Sequence, residues 1–549
     1  MAYKSKKPKQ KLTKAEELTL AKSQFNAYTR ARHNGHEEYI EMAKKCDRYY
    51  RGDQWDEFDI QELDDQGRPA LTINTILPTI NAVIGEQSAK RADIQFKPRG
   101  GGNQDVADVL TKVYAQIADN NKLDWVEAQV FQDGIIQDRG YFDVRVDFDD
   151  HVMGEVRIEA KDPLDILIDP DAKNSDPRTW NEIFETKWMS IDEIEEVYGQ
   201  QKADRLRFLA ETGATLGSDS MDYEEERYGD TQQENYGHQY PADPENARAL
   251  RSIRVIERQY YQLKDCMYYV DPVTGDQRQV PYAWGKKKRE DFADTYGLDI
   301  IQKKMRKVRW TVTADTVVLF DDWSPYNHFT IVPYFPYFRR GKPFGMVRNL
   351  LSPQEQLNKI SSQELHIVNT TANSGWIVES GSLSGMTADD LEEHGAETGL
   401  VLEFNRGSNP PAKIPPNQIP TGLDRLGQKA AMNIKAISGV TDSMLGSDSP
   451  EVSGVAIQAK QNRGSMLLQV PLTNLVKTRQ YLAEAVLNLI QTYYTEERII
   501  QITDEEDPYK PRTPLRVNQM TPEGEVINDL QLGEYDVIIG SAPARDNFD

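Results

Sequence analysis

Residues 352–372, SPQEQLNKISSQELHIVNTTA, and residues 421–439, TGLDRLGQKAAMNIKAISG, decide the fold. Both read as helices with very thin apolar stripes. In the first, Ser352 followed by Pro353 sets an N-cap with proline at the first helical position, and Gln356 is placed for the back-contact to the cap. Its stripe is Leu350, Leu357, Ile360, Leu365 and Val368, while Gln354, Glu355, Asn358, Lys359, Gln363 and Glu364 fill the other faces. The second runs from Thr421 to about Ile437 on one seam of Leu423, Leu426, Ala430, Ile434 and Ile437, among Arg425, Gln428, Lys429, Asn433 and Lys435. Ser438-Gly439 ends it, because glycine takes the left-handed conformation of a helix end without steric cost. Helices with so little core of their own are expected to pack against copies of themselves.

A third helix follows from Gly454 to Thr492, with Leu468, Leu472, Leu475, Leu482, Val486 and Leu489 recurring at helical spacing. Pro471 lies inside it. A proline removes one backbone donor and clashes with the preceding turn, so the helix is expected to bend there rather than end. At about 1.5 Å per residue it would span roughly 57 Å, long for one compact domain.

The order LSPQEQLNKISSQELHIVNTTANSGWIVESG, a short strand-rich insertion, then GLDRLGQKAAMNIKAISGVTDSMLGSDSPEVSGVAIQAKQNRGSMLLQVPLTNLVKTRQYL resembles the portal protein of tailed double-stranded DNA bacteriophages, most closely its short-tailed branch. The likeness extends to YYRGDQW, GRPALTINTILPTINAVIGEQSAKRADIQFKPRG and YFDVRVDF, and covers most of the chain. It implies an α+β, ring-forming fold: a mixed wing platform, a two-helix stem, a small α/β clip and a long proline-bent helix over a central channel. On that resemblance residues 1–14 are a basic flexible tail and 15–351 the wing, with an acidic flexible loop at about 212–247. Residues 352–371 and 421–437 are the stem helices, 372–420 the clip, 438–453 the tunnel loop and 454–495 the bent helix. Residues 496–549 are strands leading toward a crown that is short or absent. The family's ring typically has twelve subunits.

Composition agrees without discriminating. The 549 residues are 38% hydrophobic and 28% charged, with a formal net charge of −23. So acidic a chain does not adhere to DNA generally, since phosphate binding needs concentrated Lys and Arg. In a channel, weak adhesion would let a duplex slide. Cys46 and Cys266, the two cysteines, stand far apart in no metal-like spacing, which suits a reducing compartment. No apolar run approaches the ~20 residues of a membrane span, and the N-terminus has no signal-like apolar region.

The first fourteen residues carry six lysines. From Lys14 to Tyr50 a polar helical stretch offers Leu18, Phe25, Tyr28, Tyr39 and Met42 for packing. Next, PALTINTILPTINAVIGEQ is expected at the centre of the platform core. Residues 103–133 read as an amphipathic helix pair, and after Gly140 a hairpin puts Phe142, Val144 and Val146 on one face, continued by Val152, Val156 and Ile158. Ser190 to Ala210 reads as a well-capped, solvent-facing helix. Lys286, Lys287, Lys288, Arg289, Lys303, Lys304, Arg306, Lys307 and Arg309 form the densest positive charge, suited to DNA phosphates, to a partner's acidic face, or to balancing the neighbouring acidic loop. Tyr326, Tyr334, Phe335, Tyr337 and Phe338 read as core and interface aromatics.

In the clip region, strands Trp376–Glu379 and Leu400–Phe404 can pair, and exposed strand edges invite a strand from a neighbour. Trp376, Ile377, Val378, Glu392, Glu393, Leu402 and Phe404 are the candidate docking residues there. The loop TDSMLGSDSPEVSG carries Asp442, Asp448 and Glu451 and no base, so its role would be steric or frictional. Arg425, Lys429, Lys435, Lys460 and Arg463 are the candidate phosphate contacts; salt-bridging between neighbouring helices suits them equally.

There is no GK[ST] phosphate loop, HExxH or G-x-S-x-G motif. No cofactor is expected. Of seven histidines only His33 and His36 are close in sequence, and both read as exposed. Asp165, Asp169, Asp171 and Asp176 suggest a metal site, but Lys173 breaks the calcium-loop pattern and Asp-Pro steps are ordinary turn chemistry. The expectation is therefore a non-enzymatic, ring-forming structural protein of the virion, assembled in the bacterial cytoplasm and placed at one capsid vertex. Its implied partners are its own copies, double-stranded DNA, the terminase large subunit, head-completion adaptor and tail proteins, and the major capsid and scaffolding proteins. The alternatives are a metal-dependent nuclease built on Asp162–Asp176 and a non-DNA adaptor ring.

Overall fold

The computed structural model describes residues 13–89, 92–99, 103–148, 153–212, 216, 221–222, 252–270, 272, 277–280, 285–372, 375–395, 399–414, 421–440, 444, 466, 468–494, 498–502, 513–520, 526–527, 530 and 534–541. Along the chain the helices are α1 (Lys14–Ala31), α2 (Glu37–Arg51), α3 (Glu57–Asp65), α4 (Ile76–Ala89), α5 (Gln104–Asn120), α6 (Leu123–Gln137), α7 (Ile191–Tyr198), α8 (Gln200–Thr212), α9 (Lys286–Tyr296), α10 (Val347–Ala372), α11 (Ala388–His394), α12 (Thr421–Ser438) and α13 (Gln469–Tyr493). The chain forms two compact units. One comprises Met1–Ala43, Gln87–Gly345 and Val470–Asp549, the other Lys44–Glu86 and Met346–Gln469.

The first unit is built on an antiparallel sheet in the order Val317–Trp323, Asp299–Ala314, Ser252–Val270, Glu182–Ser190, Ile166–Ile168. Its two long central strands pair from Val255↔Ala314 out to Val270↔Asp299. The period of two sorts their side chains. Ile253, Val255, Val312 and Ala314 pack with Ile194 of α7 and Leu206 of α8, while Ile256 turns the other way to meet Tyr28 and Ala31 of α1. α7 opens under a Ser190–Glu193 capping box, and Gly199, at φ 93°, separates it from α8. The pair is thus well capped, as expected, but one side of it is buried against the sheet instead of facing solvent.

A second sheet joins Ile331–Tyr334, Gly140–Asp147 and Glu155–Lys161, and Phe142, Val144, Val146, Val156 and Ile158 are all buried. Gly140 sits where a Cβ would lie 2.2 Å from the Val130 carbonyl oxygen, so the close approach of α6 to this strand requires glycine. α13 belongs to this unit. It buries Leu475, Leu482, Val486 and Leu489, and is tied to the second sheet by Thr478 Oγ1 donating to Pro333 O at 3.0 Å. Strand Ala92–Arg99 pairs antiparallel with Glu534–Ser541. Tyr326, Tyr334 and Phe335 are buried, and Tyr337 and Phe338 half-buried.

The second unit holds α10 and α12, with α3 and residues 71–86. The stretch 71–86, expected at the centre of the platform, packs here instead. α12 occupies the expected residues, whereas α10 begins at Val347, before Ser352, and keeps Pro353 inside it. Proline withholds one hydrogen bond from the preceding turn. That turn is held by burial of Val347, Leu350 and Leu351. No helix among the described residues is long and apolar enough to cross a membrane.

Candidate functional site

α10 is the spine of the second unit, and its polar residues are not idle. Gln354, Asn358 and Ser362 are 0%, 1% and 2% exposed. They face the extended stretch 71–75. Gln354 Oε1 accepts from Thr75 Oγ1 at 2.6 Å and its Nε2 donates to Ile73 O at 2.6 Å; Asn358 Oδ1 accepts from Ile73 N at 3.0 Å, and Ser362 Oγ from Leu71 N at 2.9 Å. Every fourth residue of a helix rises about 6 Å and every second residue of an extended chain about 6.6 Å, so the two repeats stay in register over three rungs. The helix face thereby stands in for a neighbouring strand. Gln354 and Asn358, read from the sequence as lying on the polar faces, are with Ser362 among the most buried residues of α10. The i, i+4, i+8 repeat of small hydrogen-bonding side chains was the signal in the sequence.

The opposite side of α10 carries α12. A Cβ at Gly427 would stand 3.5 Å from Ile360 Cγ2, and Ala430 and Ile434 are fully buried. The far side of α12 then presents Arg425, Lys429 and Met432, all exposed, with Lys435 exposed a little way round the helix.

Beside the ladder lies a polar cleft of about 120 Å³ lined by Tyr49, Trp55, Glu355, Asn358 and Lys359. Glu355 Oε1 accepts from Tyr49 Oη at 2.7 Å and lies 3.1 Å from Lys45 Nζ. Burial works to raise the Glu355 pKa, but the bonds from Tyr49 and Lys45 and the charges of Lys45 and Lys359 hold it below the ordinary value. Burial and the Glu355 carboxylate push the Tyr49 phenol up. Lys359 also reaches Asp59 of α3 at 3.5 Å.

Between α10 and α12 the chain forms a small module. Its strand Trp376–Ile377 pairs with Ala412–Lys413 rather than with 400–404, and Phe404 makes a single bridge to Leu383. The reason is local. The Trp376 indole donates to Gly395 O at 3.0 Å, at the end of α11, and Ile414 N donates to Gly375 O at 2.8 Å. The first holds Trp376 against the end of α11, and the second draws the 412–414 segment, not 400–404, to the strand. Of the expected docking residues, Ile377, Phe404, Glu392 and Glu393 are exposed, and Trp376, Val378 and Leu402 half-buried; Leu391 is the buried residue of α11.

Asp442, Asp448, Glu451, Lys460 and Arg463 lie outside the described residues, as does the segment 445–465. Pro471 is the third residue of α13, in its first turn, where a missing backbone donor has no intrahelical partner to lose.

Elsewhere charge is mostly engaged. Arg306 donates to Trp180 O at 2.6 Å and lies 3.9 Å from the centre of the Tyr261 ring, and Arg309 Nε donates to Asp321 at 2.9 Å. Lys303 and Lys304 are exposed. In the acidic run, Asp162, Asp169 and Asp176 accept from Leu164 N, Asp171 N and Arg178 N at 2.9, 2.9 and 3.0 Å, the geometry of turn caps. Among the described residues no group of three His, Cys, Asp or Glu side chains is arranged to hold a metal. His33 is exposed, but His36, expected to be so, is 6% exposed with Nε2 3.1 Å from Leu164 O. Helix–turn–helix burial around Gly35 turns it inward.

A family model described as phage P22-like portal protein matches residues 25–549. No curated protein matches the chain.

Proposed function

The chain belongs to the P22-like phage portal protein family, and we propose that its copies close into a dodecameric ring at one capsid vertex, through which double-stranded DNA enters during packaging and leaves at ejection. It is a structural protein of the bacteriophage virion, of a family concerned with genome packaging. The family match along residues 25–549 is the observation that carries the reading.

The second unit suits such a ring. α10 and α12 form a rod with a small module between them in sequence, and α12 leaves one long face exposed. Among the described residues each strand of the module's two-residue ladder is paired along one edge, and to the other a neighbour or a docking protein can add. We assign to it, through Ile377, Phe404, Glu392 and Glu393, the terminase large subunit during packaging and adaptor and tail proteins afterwards. Capsid and scaffolding proteins would meet the first unit, and ATP hydrolysis would belong to the terminase.

A net charge of −23 per copy, repeated around a ring, repels a duplex from all sides. In this reading Asp442, Asp448 and Glu451 meet DNA as a steric collar, and Lys435, Lys460 and Arg463 make the few phosphate contacts. The run Asp162–Asp176 is not assigned a nuclease centre, since its carboxylates cap backbone amides.

Negative-stain imaging with solution mass tests the reading. A ring of twelve copies with a hole wide enough for a duplex is expected. A monomer at physiological salt, or a ring too narrow for DNA, would refute it.

A further inference from the structure

Helix α3 buries none of its nine residues. Isolated helices shorter than about 12–15 residues are marginal in water, and most helical stability comes from packing an apolar face. Yet α3 leaves Phe58 74% exposed. Its inner side is held through Asp59, 3.5 Å from Lys359, and through half-buried Leu63. Turned away from that side, at spacings of four and seven, stand Phe58, Glu62 and Asp65, all exposed.

α12 shows the complementary stripe. Arg425, Lys429 and Met432 recur at the same spacings of four and seven, opposite the buried Ala430 and Ile434, and Met432 is 69% exposed. Among the described residues no carboxylate lies within ion-pairing distance of Arg425 or Lys429. Laid antiparallel, the two stripes match at both ends, Asp65 to Arg425 and Phe58 to Met432, and bring Glu62 within one residue, about 1.5 Å of rise, of Lys429. At about 1.5 Å per residue both span roughly 10 Å. A thioether against an aromatic ring is itself a favourable contact.

Within one copy the two stripes do not meet, since both are exposed. α12 lies on the Ile360 side of α10, while α3 is reached through Lys359, one residue and so about 100° of helical turn from Ile360, and turns Phe58, Glu62 and Asp65 away from that contact. We propose that α3 of each copy docks antiparallel on the exposed face of α12 of the next, with Arg425 and Lys429 serving as intersubunit partners of Asp65 and Glu62 and not as DNA contacts. Because the two surfaces differ, the contact is head-to-tail, the kind that closes rings. This inference rests on the ring reading and names the contact that builds it.

The test uses the full-length chain and charge reversal. Arg425→Glu with Lys429→Glu, or Glu62→Lys with Asp65→Lys, is expected to lower the ring fraction at sub-micromolar protein by at least about ten-fold, since like charges then face each other. All four changes together are expected to restore it to within about two-fold, because the pairs are remade with opposite sense. Rings that persist in both reversed variants would overturn this interface while leaving the ring reading intact. A wild-type chain that never forms rings would overturn both. Circular dichroism checks that each variant is folded. Independently, Phe58→Cys with Met432→Cys should give a ladder of disulfide-linked multimers on mild oxidation, the natural Cys46 and Cys266 being buried. Monomer alone would count against the contact.

Discussion

Arg479 and Glu127 meet as a two-pronged ion pair inside the first unit: Nε donates to Oε2 at 2.7 Å and Nη2 to Oε1, with 10% of either side chain exposed. Gln87 Nε2 adds a third bond to Oε1 at 2.8 Å. Burial opposes the charge on Arg479, and the bonds and charge of Glu127 more than offset it. The pair fixes α13 against α6.

Removing one partner leaves the other charged and buried. Arg479→Ala is therefore expected to lower unfolding free energy by about 3–5 kcal/mol, and Arg479→Met with Glu127→Leu by less. Urea denaturation of the two variants decides it; a smaller loss for the single change than for the double would contradict the burial argument.

The ladder on α10 makes a similar demand. Asn358→Leu removes an acceptor from Ile73 N and a donor to Gln54 Oε1, and is expected to cost about 1–3 kcal/mol for each buried group left unpaired. Amide exchange at Ile73 should speed up in the variant. Unchanged exchange there would mean the side chain does not hold the strand.

Two glycines should respond in opposite directions. Gly140→Ala drives a Cβ into the Val130 carbonyl at 2.2 Å, where the backbone cannot step aside, and is expected to cost at least about 1–3 kcal/mol. Gly85, inside α4, has nothing within 4 Å of its virtual Cβ. Gly85→Ala should stabilise by about 0.5–1 kcal/mol through the helix alone. Thermal melts with the same sign for both changes would rule out this reading.

His36 gives the chain a pH dependence. Burial, then the Arg139 charge, pulls its pKa down to about 3 against the opposing bond to Leu164 O. The unfolded chain therefore takes up the proton first. Stability is complete above about pH 6.5 and is lost as pH falls from there toward 3, with a slope approaching about 1.4 kcal/mol per pH unit. In His36→Gln the slope between pH 6 and 4 should fall by most of that amount; an unchanged slope would assign the effect elsewhere.

Local pattern was readable wherever one element's own side chains settled its burial. The recurrence of Leu475, Leu482, Val486 and Leu489 is the buried face of α13, the alternation at Phe142, Val144 and Val146 is the inner face of a strand, and Thr421 to Ser438 is a helix with the expected ends. In the candidate site the exposed bases of α12 were readable for the same reason. Trp376 was not paired correctly, because its partner strand is aligned by the Ile414 N to Gly375 O bond, which strand propensity does not encode.

Residue order by itself thus determined α12 and its thin seam, the buried face of α13, the hairpin after Gly140 and the family likeness, since periodicity and spacing are properties of neighbours in the chain. Tertiary structure alone decided that Gln354, Asn358 and Ser362 are interior, because their partners Thr75, Ile73 and Leu71 lie 279, 285 and 291 positions away. A polar side chain reads as surface until a distant backbone supplies its hydrogen bonds. That long-range pairing packs residues 71–75 against α10 in the second unit, where α3 keeps Phe58, Glu62 and Asp65 exposed.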